Sequence, residues 1–540
     1  MQIIHKVVKH GIDSRALLKK GIDIVAETIK PTLGAKSYNV IVQDNEDSPP
    51  RSMNDGYYIA DSLADDDVTV NAGIRLMRDI CKRTNDKVGD GTTSTAVITQ
   101  AIINSGEEAV KNGKHPVEVK KEIEDDFELC KRELNNLKKD IKGDDILNVA
   151  TIASNNDKEI GQSIANIYNK LGNSAAIMVE KSAEDKIKEE IVEGIYFDTG
   201  YGEARAFINN PRKMTAEHED VKVLCLDFGA GNIDWIMTFI NKIMIKLSEE
   251  KRPSWDLKLL IICREFSFEG QVYPFLAHNT TLFDQKAVGE KGNPLGFGAV
   301  AIEAPHSYGN QSDIIEDIAI ATGAKVVGDR TGLFLKDADI NVLGSAKKIE
   351  VGRNKTIIIG GQGDKTELDI YLMKLKGQLK ECKQEYREGL EKRINSLESG
   401  VGILKIGGTT DIERTERSIR VEDAILATKA AIESGVVIGG GVIYNQLAEK
   451  CKNDYLKIAC KSIGKQIQLN AGVKEENLKE NKGKIGFNAL TNTWEDLEKA
   501  GVIEPVNVVK TVLENAVSFS TLFLTTCASS IAKSEYVSDK

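Results

Sequence analysis

Several patterns are missing from this chain, and each absence excludes something. No apolar run approaches the ~20 residues needed to span a bilayer, and Met1–Lys6 carries no signal-peptide apolar core. No two cysteines form a CxxC pair, and none stands at metal-finger spacing from a histidine. The eight cysteines (81, 130, 225, 263, 382, 451, 460 and 527) are scattered, mostly within apolar patterns, as in Leu259–Cys263. Buried free thiols in a reducing compartment are the expectation. No basic excess is present: 72 Lys and Arg stand against 82 acids, a net charge of −10, which argues against a nucleic-acid or anionic-membrane binder. There is no Rossmann fingerprint and no internal repeat. Thr356–Thr366 reads like a strand entering a P-loop, but Asp364 stands where the glycine before the lysine is required. A hairpin or linker turn is expected there instead. A soluble cytosolic protein of about three domains follows from length and composition.

What is present is organised around Val88–Ala96. Ile74, Met77, Ile80, Cys81, Thr84 and Val88 recur at helical spacing before it, and Ala96, Val97, Ala101 and Ile102 begin a second helical pattern after it. Between them stand Gly89, Asp90, Gly91, Thr92, Thr93 and Ser94. Glycine permits positive φ and close approach to a ligand. The N–H groups and dipole of the following helix favour a phosphate, and Asp90 is a hard oxygen ligand suited to Mg²⁺. An Asp/Gly turn with Thr92 or Thr93 capping the next helix fits the same residues.

Taken in order, a helix over 14–30 stops at Pro31, the turn Thr32–Ser37 follows, and Tyr38–Val42 is β-like. Residues 45–51 form a polar loop and Met53–Gly56 a turn. Pro116 opens another helix. From about Ile146 the texture changes: strands are expected near 175–179 and 187–192, then strand–helix alternation with strands at 221–226, 257–263, 299–302 and 325–327. Residues 369–397 predict one long amphipathic helix broken near Gly377 or Gly389. After a strand at 400–408 the chain returns to helical texture through to Lys540.

The last third adds Val421–Ala424, the run Ala430–Gly441, Phe487–Leu490 and Val502–Pro505. Together with Thr32–Lys36, Asp55-Gly56 and Gly89–Thr93, these stretches resemble the group I chaperonins, the GroEL type, in order and spacing from end to end. The resemblance implies an α+β multidomain fold. A mostly helical equatorial ATP-binding domain would comprise 1–136 and 434–540. An intermediate hinge domain would comprise 137–192 and 401–433, and an α/β apical polypeptide-binding domain 193–400.

The resemblance also implies roles. Thr32, Leu33, Gly34 and Ala35 would cradle ATP, with Asn54 beside it. Asp90 would bind Mg²⁺, and Gly91, Thr92, Thr93 and Ser94 the phosphates. Gly440, Asn488, Ala489, Leu490 and Glu504 would surround the rest of the nucleotide. Asp55 and Asp423 would orient the attacking water, Asp423 being delivered by the hinge. Tyr201, Phe207, Met237, Ile240 and Tyr273 would present an apolar patch to non-native polypeptides. The expected partners are such polypeptides, a seven-membered homo-oligomeric ring and a lid cochaperonin.

Departures from the family accompany these matches. Asn54 replaces a lysine, Ala35 a proline, Phe487 a tyrosine and Glu504 an aspartate. Ser434 and Ile438 differ within the signature, Ala277 and His278 stand where aliphatics are usual, and 280–297 reads as an insertion. The 441–460 segment is short, Lys465 replaces an arginine at the ring–ring contact, and the end of the chain lacks a Gly-Gly-Met tail. A divergent, virus-encoded chaperonin in the host cytoplasm, with rings that do not pair stably, is the expectation. A nucleotide-binding ring that scarcely hydrolyses, acting as holdase or scaffold, is the alternative.

Overall fold

The computed structural model describes residues 2–43, 50–141, 144–173, 175–182, 184–211, 213–267, 269–289, 295–306, 310–398 and 400–536. Most of the polar loop expected at 45–51, the middle of the 280–297 segment and the last four residues lie outside these. The chain forms two compact units, one of Met1–Asn166, Lys181–Lys188 and Ile406–Lys540, the other of Ile167–Glu180 and Glu189–Lys405.

The first unit is helical. Val68–Val88 begins where the Asp67 carboxylate accepts the N–H groups of Thr69 and Val70, and it ends at Gly89. Thr92–Lys111 follows, then Pro116–Leu137, with proline in its first turn. The C-terminal helices Asp454–Asn470 and Val506–Leu524 pack on these. Their cores interleave both ends of the sequence: Ile98, Ile102, Ile123 and Cys130 share a cluster with Leu447, Cys460, Val509 and Val512, and Ile22, Ile29 and Met77 share another with Phe519 and Phe523. Asp126, wholly buried, accepts the N–H groups of Lys452 and Asn453 at 2.8 and 2.9 Å, so backbone donors ahead of a C-terminal helix are satisfied by an N-terminal one.

The second unit holds a six-stranded sheet in the order Gly194–Phe197, Thr356–Gly361, Gly344–Val351, Ala216–Gly229, Lys258–Glu265, Gly298–Glu303. The last three strands run parallel, and the helices Ile233–Glu249 and Val272–Asp284 make the crossovers. The apolar runs expected to be buried strands are these; Leu260, Ile261 and Ile262 are fully enclosed. Ala176–Lys181 and Lys188–Val192 are strands too and share a sheet with Val401–Ile406. Six of the cysteines are buried and all eight are free thiols.

Four local expectations differ from the structure. The C-terminal stretch does not stay helical: Ala528–Tyr536 is a strand paired antiparallel with Gln2–His10, a long-range ladder that local periodicity does not reveal. The long helix is two, Lys365–Glu381 and Gln384–Glu398. The break falls at Cys382, whose backbone is extended, while Gly377 continues the helix. Thr356–Thr366 is not a linker turn: its first half is the second strand of an antiparallel hairpin with Gly344–Val351. It is a strand leading into a helix, because Asp364 accepts the N–H groups of Thr366 and Glu367 and so caps the helix N-terminus. Of 325–327, only Val327 joins the sheet, as an isolated bridge to Leu226.

Candidate nucleotide site

The joint between Val68–Val88 and Thr92–Lys111 is made by two left-handed glycines, Gly89 at φ 67° and Gly91 at φ 82°. A side chain at either would be strained, and a Cβ on Gly91 would come within 2.6 Å of Val512 Cγ2. Gly91, which has no side chain to cap with, occupies the cap position of Thr92–Lys111, which decides against the reading of Thr92 or Thr93 as its cap. Thr92 and Thr93 are buried, Ser94 half-buried.

Three further strands of the site converge here. Thr32 Oγ1 lies 3.0 Å from Thr93 Oγ1, which brings the Thr32–Ala35 turn to the helix N-terminus. The turn is braced by Asn470, whose amide donates to the carbonyls of Lys30 at 2.9 Å and Leu33 at 2.8 Å. Asp55 caps the helix Gly56–Asp61 through Tyr58 N–H at 2.8 Å. Gly56 passes so near that a Cβ there would meet Thr93 Oγ1 at 2.7 Å. Asp423 arrives on the helix Asp411–Ser434.

The acids of the site feel one another. Solvent reaches them, since Asp90 is exposed and Asp55, Asp423 and Glu504 are half-buried. They are nonetheless recessed among protein atoms. Burial raises Asp90 above its ordinary carboxylate value, and Asp55 is raised by burial and by the Asp90 charge. Asp423 is pushed well up by burial, then by Asp55, Asp90 and Glu422. Glu504 is pushed up to about 8 by burial and then by Asp90, with the Gly440 N–H opposing. Tyr444, wholly buried, is raised by burial and by the charges of Glu504, Cys460 and Asp90. Like charges held this close are costly without a cation among them.

Among the described residues no cluster of three His, Cys, Asp or Glu side chains could hold a metal ion alone. Mg²⁺ usually takes one or two carboxylates plus waters and substrate phosphates.

The remaining expected residues are more dispersed in role. Asn488 bridges its hairpin, donating to Glu495 at 2.8 Å and accepting Leu490 N–H at 3.0 Å. Ala489 is buried and Leu490 is 51 % exposed. Asn54 directs its amide to Ser37, Tyr38 and Asn39. Sequence reasoning missed Asn470 and Tyr444, because neither stands in a motif and each acts only through a residue distant in the chain.

In the second unit the five apolar positions do not form one exposed patch. Tyr201, Phe207 and Ile240 are buried in the sheet core, Tyr273 is half-buried with its ring edge-on to Phe207, and Met237 is 40 % exposed. Met237 and Ile240 are neighbours one turn apart on the helix, at the edge where its exposed face gives way to the buried one.

The chain matches the TCP-1/cpn60 chaperonin family over residues 25–238 and 298–528. The interval between those stretches contains the 280–297 segment read as an insertion. Two crystal forms of the chaperonin gp146 from the bacteriophage EL 2 (Pseudomonas aeruginosa), both in the presence of ATP-BeFx, share the fold. Crystal form II aligns with a TM-score of 0.68 at 18% identity, covering 97% of this chain and 98% of that one. Crystal form I gives 0.62 at 19% identity, covering 98% and 99%. The chain thus belongs to the TCP-1/cpn60 chaperonin family, as a divergent member of the group I, GroEL type.

Proposed function

We propose that the protein is an ATP-driven folding machine. Copies would assemble into a seven-membered ring, capture non-native polypeptides on the 193–400 segment, and couple ATP hydrolysis to their enclosure or release. The division into an equatorial part (1–136 and 434–540), a hinge (137–192 and 401–433) and an apical part (193–400) belongs to this reading. The observation that carries it is the convergence of Asp55, Asp90 and Asp423 on the glycine-capped N-terminus of Thr92–Lys111.

In this reading the N–H groups of Thr92, Thr93 and Ser94 take phosphate oxygens, and Thr32–Ala35 borders the nucleotide on one side. Gly440, Asn488, Ala489, Leu490 and Glu504 border it on the other. Asp90 is the residue that would hold Mg²⁺, which would supply charge neutralisation at the phosphates. Phosphoryl transfer to water asks for positioning and charge neutralisation rather than covalent chemistry. Asp55 and Asp423 supply the acceptors that align the water. Asp423 sits on a helix separate in sequence from the rest, so movement of that helix would gate the reaction.

The apolar patch in this reading centres on Met237 and Tyr273, with Tyr201, Phe207 and Ile240 supporting it from beneath. The relatives with phage origin favour a virus-encoded protein working in the host cytoplasm. A lid cochaperonin and rings that stay unpaired complete the proposal.

The test is steady-state ATPase of the purified protein with and without Mg²⁺, combined with capture of a chemically denatured client. Mg²⁺-dependent turnover accompanied by client release supports the machine. Assembly and nucleotide binding without turnover would instead make it a scaffold or holdase, a reading that Asn54, an amide in place of an ammonium, favours.

A further inference from the structure

Asn54 uses both ends of its amide. Its Nδ2 points at Tyr38 O, Ser37 Oγ and Asn39 Oδ1 at 3.0, 3.1 and 3.2 Å, and its Oδ1 accepts from Asn155 Nδ2 at 3.3 Å. An ammonium could make only the first set, since it has no acceptor. Asn155 lies in the turn between the helices Asp145–Ala153 and Lys158–Leu171. Asn155 and its neighbour Asn156 both sit at φ 64°. Two successive non-glycine residues in the left-handed region are costly, and asparagine is among the few that tolerate it. Such conformations persist where surrounding contacts over-determine them.

The same turn is tied to the helix that carries Asp423. Arg420 reaches Ser154 O at 3.5 Å and the Asp157 carboxylate at 3.4 Å, and Arg417 pairs with Glu159 at 2.8 Å. Arg420 and Asp423 are three residues apart on that helix, so the two side chains are neighbours on its surface. A path of polar contacts thus runs from the loop beside Asp55, through Asn54 and Asn155, to the helix that brings Asp423 to the nucleotide.

We propose that Asn155 is a positioning residue for hydrolysis: its bond to Asn54 clasps the 154–157 turn to the nucleotide loop and so holds Asp423 in its water-orienting place. This rests on the ATPase reading above. The clasp acts on the delivered arrangement of Asp423, so it affects turnover rather than nucleotide affinity.

The test uses the full chain and the variants Asn155→Gly, Asn54→Ala and their combination. Glycine keeps the left-handed backbone and removes only the clasp. One neutral hydrogen bond predicts a fall in kcat of about two- to tenfold, with KM for ATP within about twofold of wild type. The double variant should fall no further than Asn54→Ala alone. Unchanged kcat in Asn155→Gly, or effects that multiply in the double variant, would overturn the proposal. A second readout needs no turnover. Amide hydrogen exchange across residues 151–160 should quicken in Asn54→Ala, far from that variant in sequence; unaltered exchange overturns the clasp. Loss of the clasp signal is thereby separate from loss of the ATPase reading, which would appear as absent wild-type turnover.

Discussion

Asp423, on the helix Asp411–Ser434, and Asp55, the cap of the helix Gly56–Asp61, lie close enough that the charge of Asp55 helps to push Asp423 well above the ordinary carboxylate value. Two recessed carboxylates in such a relationship repel when both are ionised, so a cation or a shared proton between them relieves the cost. Removing the acceptor that aligns the water should cost about 10²–10⁴ in rate. Asp423→Ala is expected to lose turnover to that extent while retaining nucleotide, read by steady-state ATPase beside equilibrium binding of a fluorescent ATP analogue. Equal turnover in variant and wild type would remove Asp423 from the mechanism.

The pH dependence of stability follows from Glu504. Its pKa rises from 4.5 to about 8. In the nucleotide-free protein the folded state keeps a proton that the unfolded state gives up, so stability from this group is greatest below the unfolded value. It is lost progressively as pH rises toward 8. Asp55, Asp90 and Asp423, all raised, act in the same direction. Urea midpoints measured from about pH 5 to about pH 9 should fall, and Glu504→Gln should flatten the slope. Binding of Mg²⁺ with nucleotide, which needs the ionised acids, should release protons and tighten as pH rises.

Gly91→Ala tests the glycine joint. The added Cβ meets Val512 at 2.6 Å and Val508 at 3.0 Å, in a left-handed residue. Overpacking costs about 1–3 kcal/mol and the backbone a further ~1–2 kcal/mol. A lowered denaturant midpoint with impaired nucleotide binding is the expected outcome.

Asp126→Ala should destabilise without touching the site. It orphans the N–H groups of Lys452 and Asn453, at about 1–3 kcal/mol for a buried donor left unpaired. Chemical denaturation should show the loss, with ATPase per folded molecule unchanged.

Met237→Glu probes client capture. A buried methionine is worth ~1.5–3 kcal/mol, so placing a charge at this exposed position should weaken capture of a denatured client on the order of tenfold or more, with ATPase intact. Capture equal to wild type would move the patch elsewhere.

The local geometry of the candidate site was largely legible because its residues obey local rules. Gly89 and Gly91 stand between two periodic apolar patterns, and the structure gives both the positive φ that such a joint demands. Asp55 precedes a helix, the place where a carboxylate meets free N–H groups. The Gln2–His10 ladder was not legible, since its partner strand lies at the other end of the chain and neither half carries a turn signal. Asn470 was equally hidden: an asparagine at a helix end has many uses, and bracing Lys30 and Leu33 needs the fold to exist first. Tyr201, Phe207 and Ile240 show the converse limit. Apolar type predicts that a residue avoids water but does not tell a buried sheet face from a surface waiting for a client.

The interleaved first unit sets an order on synthesis. Its candidate nucleotide site draws on Thr32 and Asp90 early, and on Asp423 and Glu504 late, while the second unit is nearly continuous from Glu189 to Lys405. At ribosomal rates of roughly 5–20 residues per second, the N-terminal helices wait on the order of tens of seconds for their C-terminal partners. Through that interval Ile98, Ile102 and Ile123 lack the neighbours that later enclose them. The nascent chain therefore carries unpartnered apolar surface until its last third emerges.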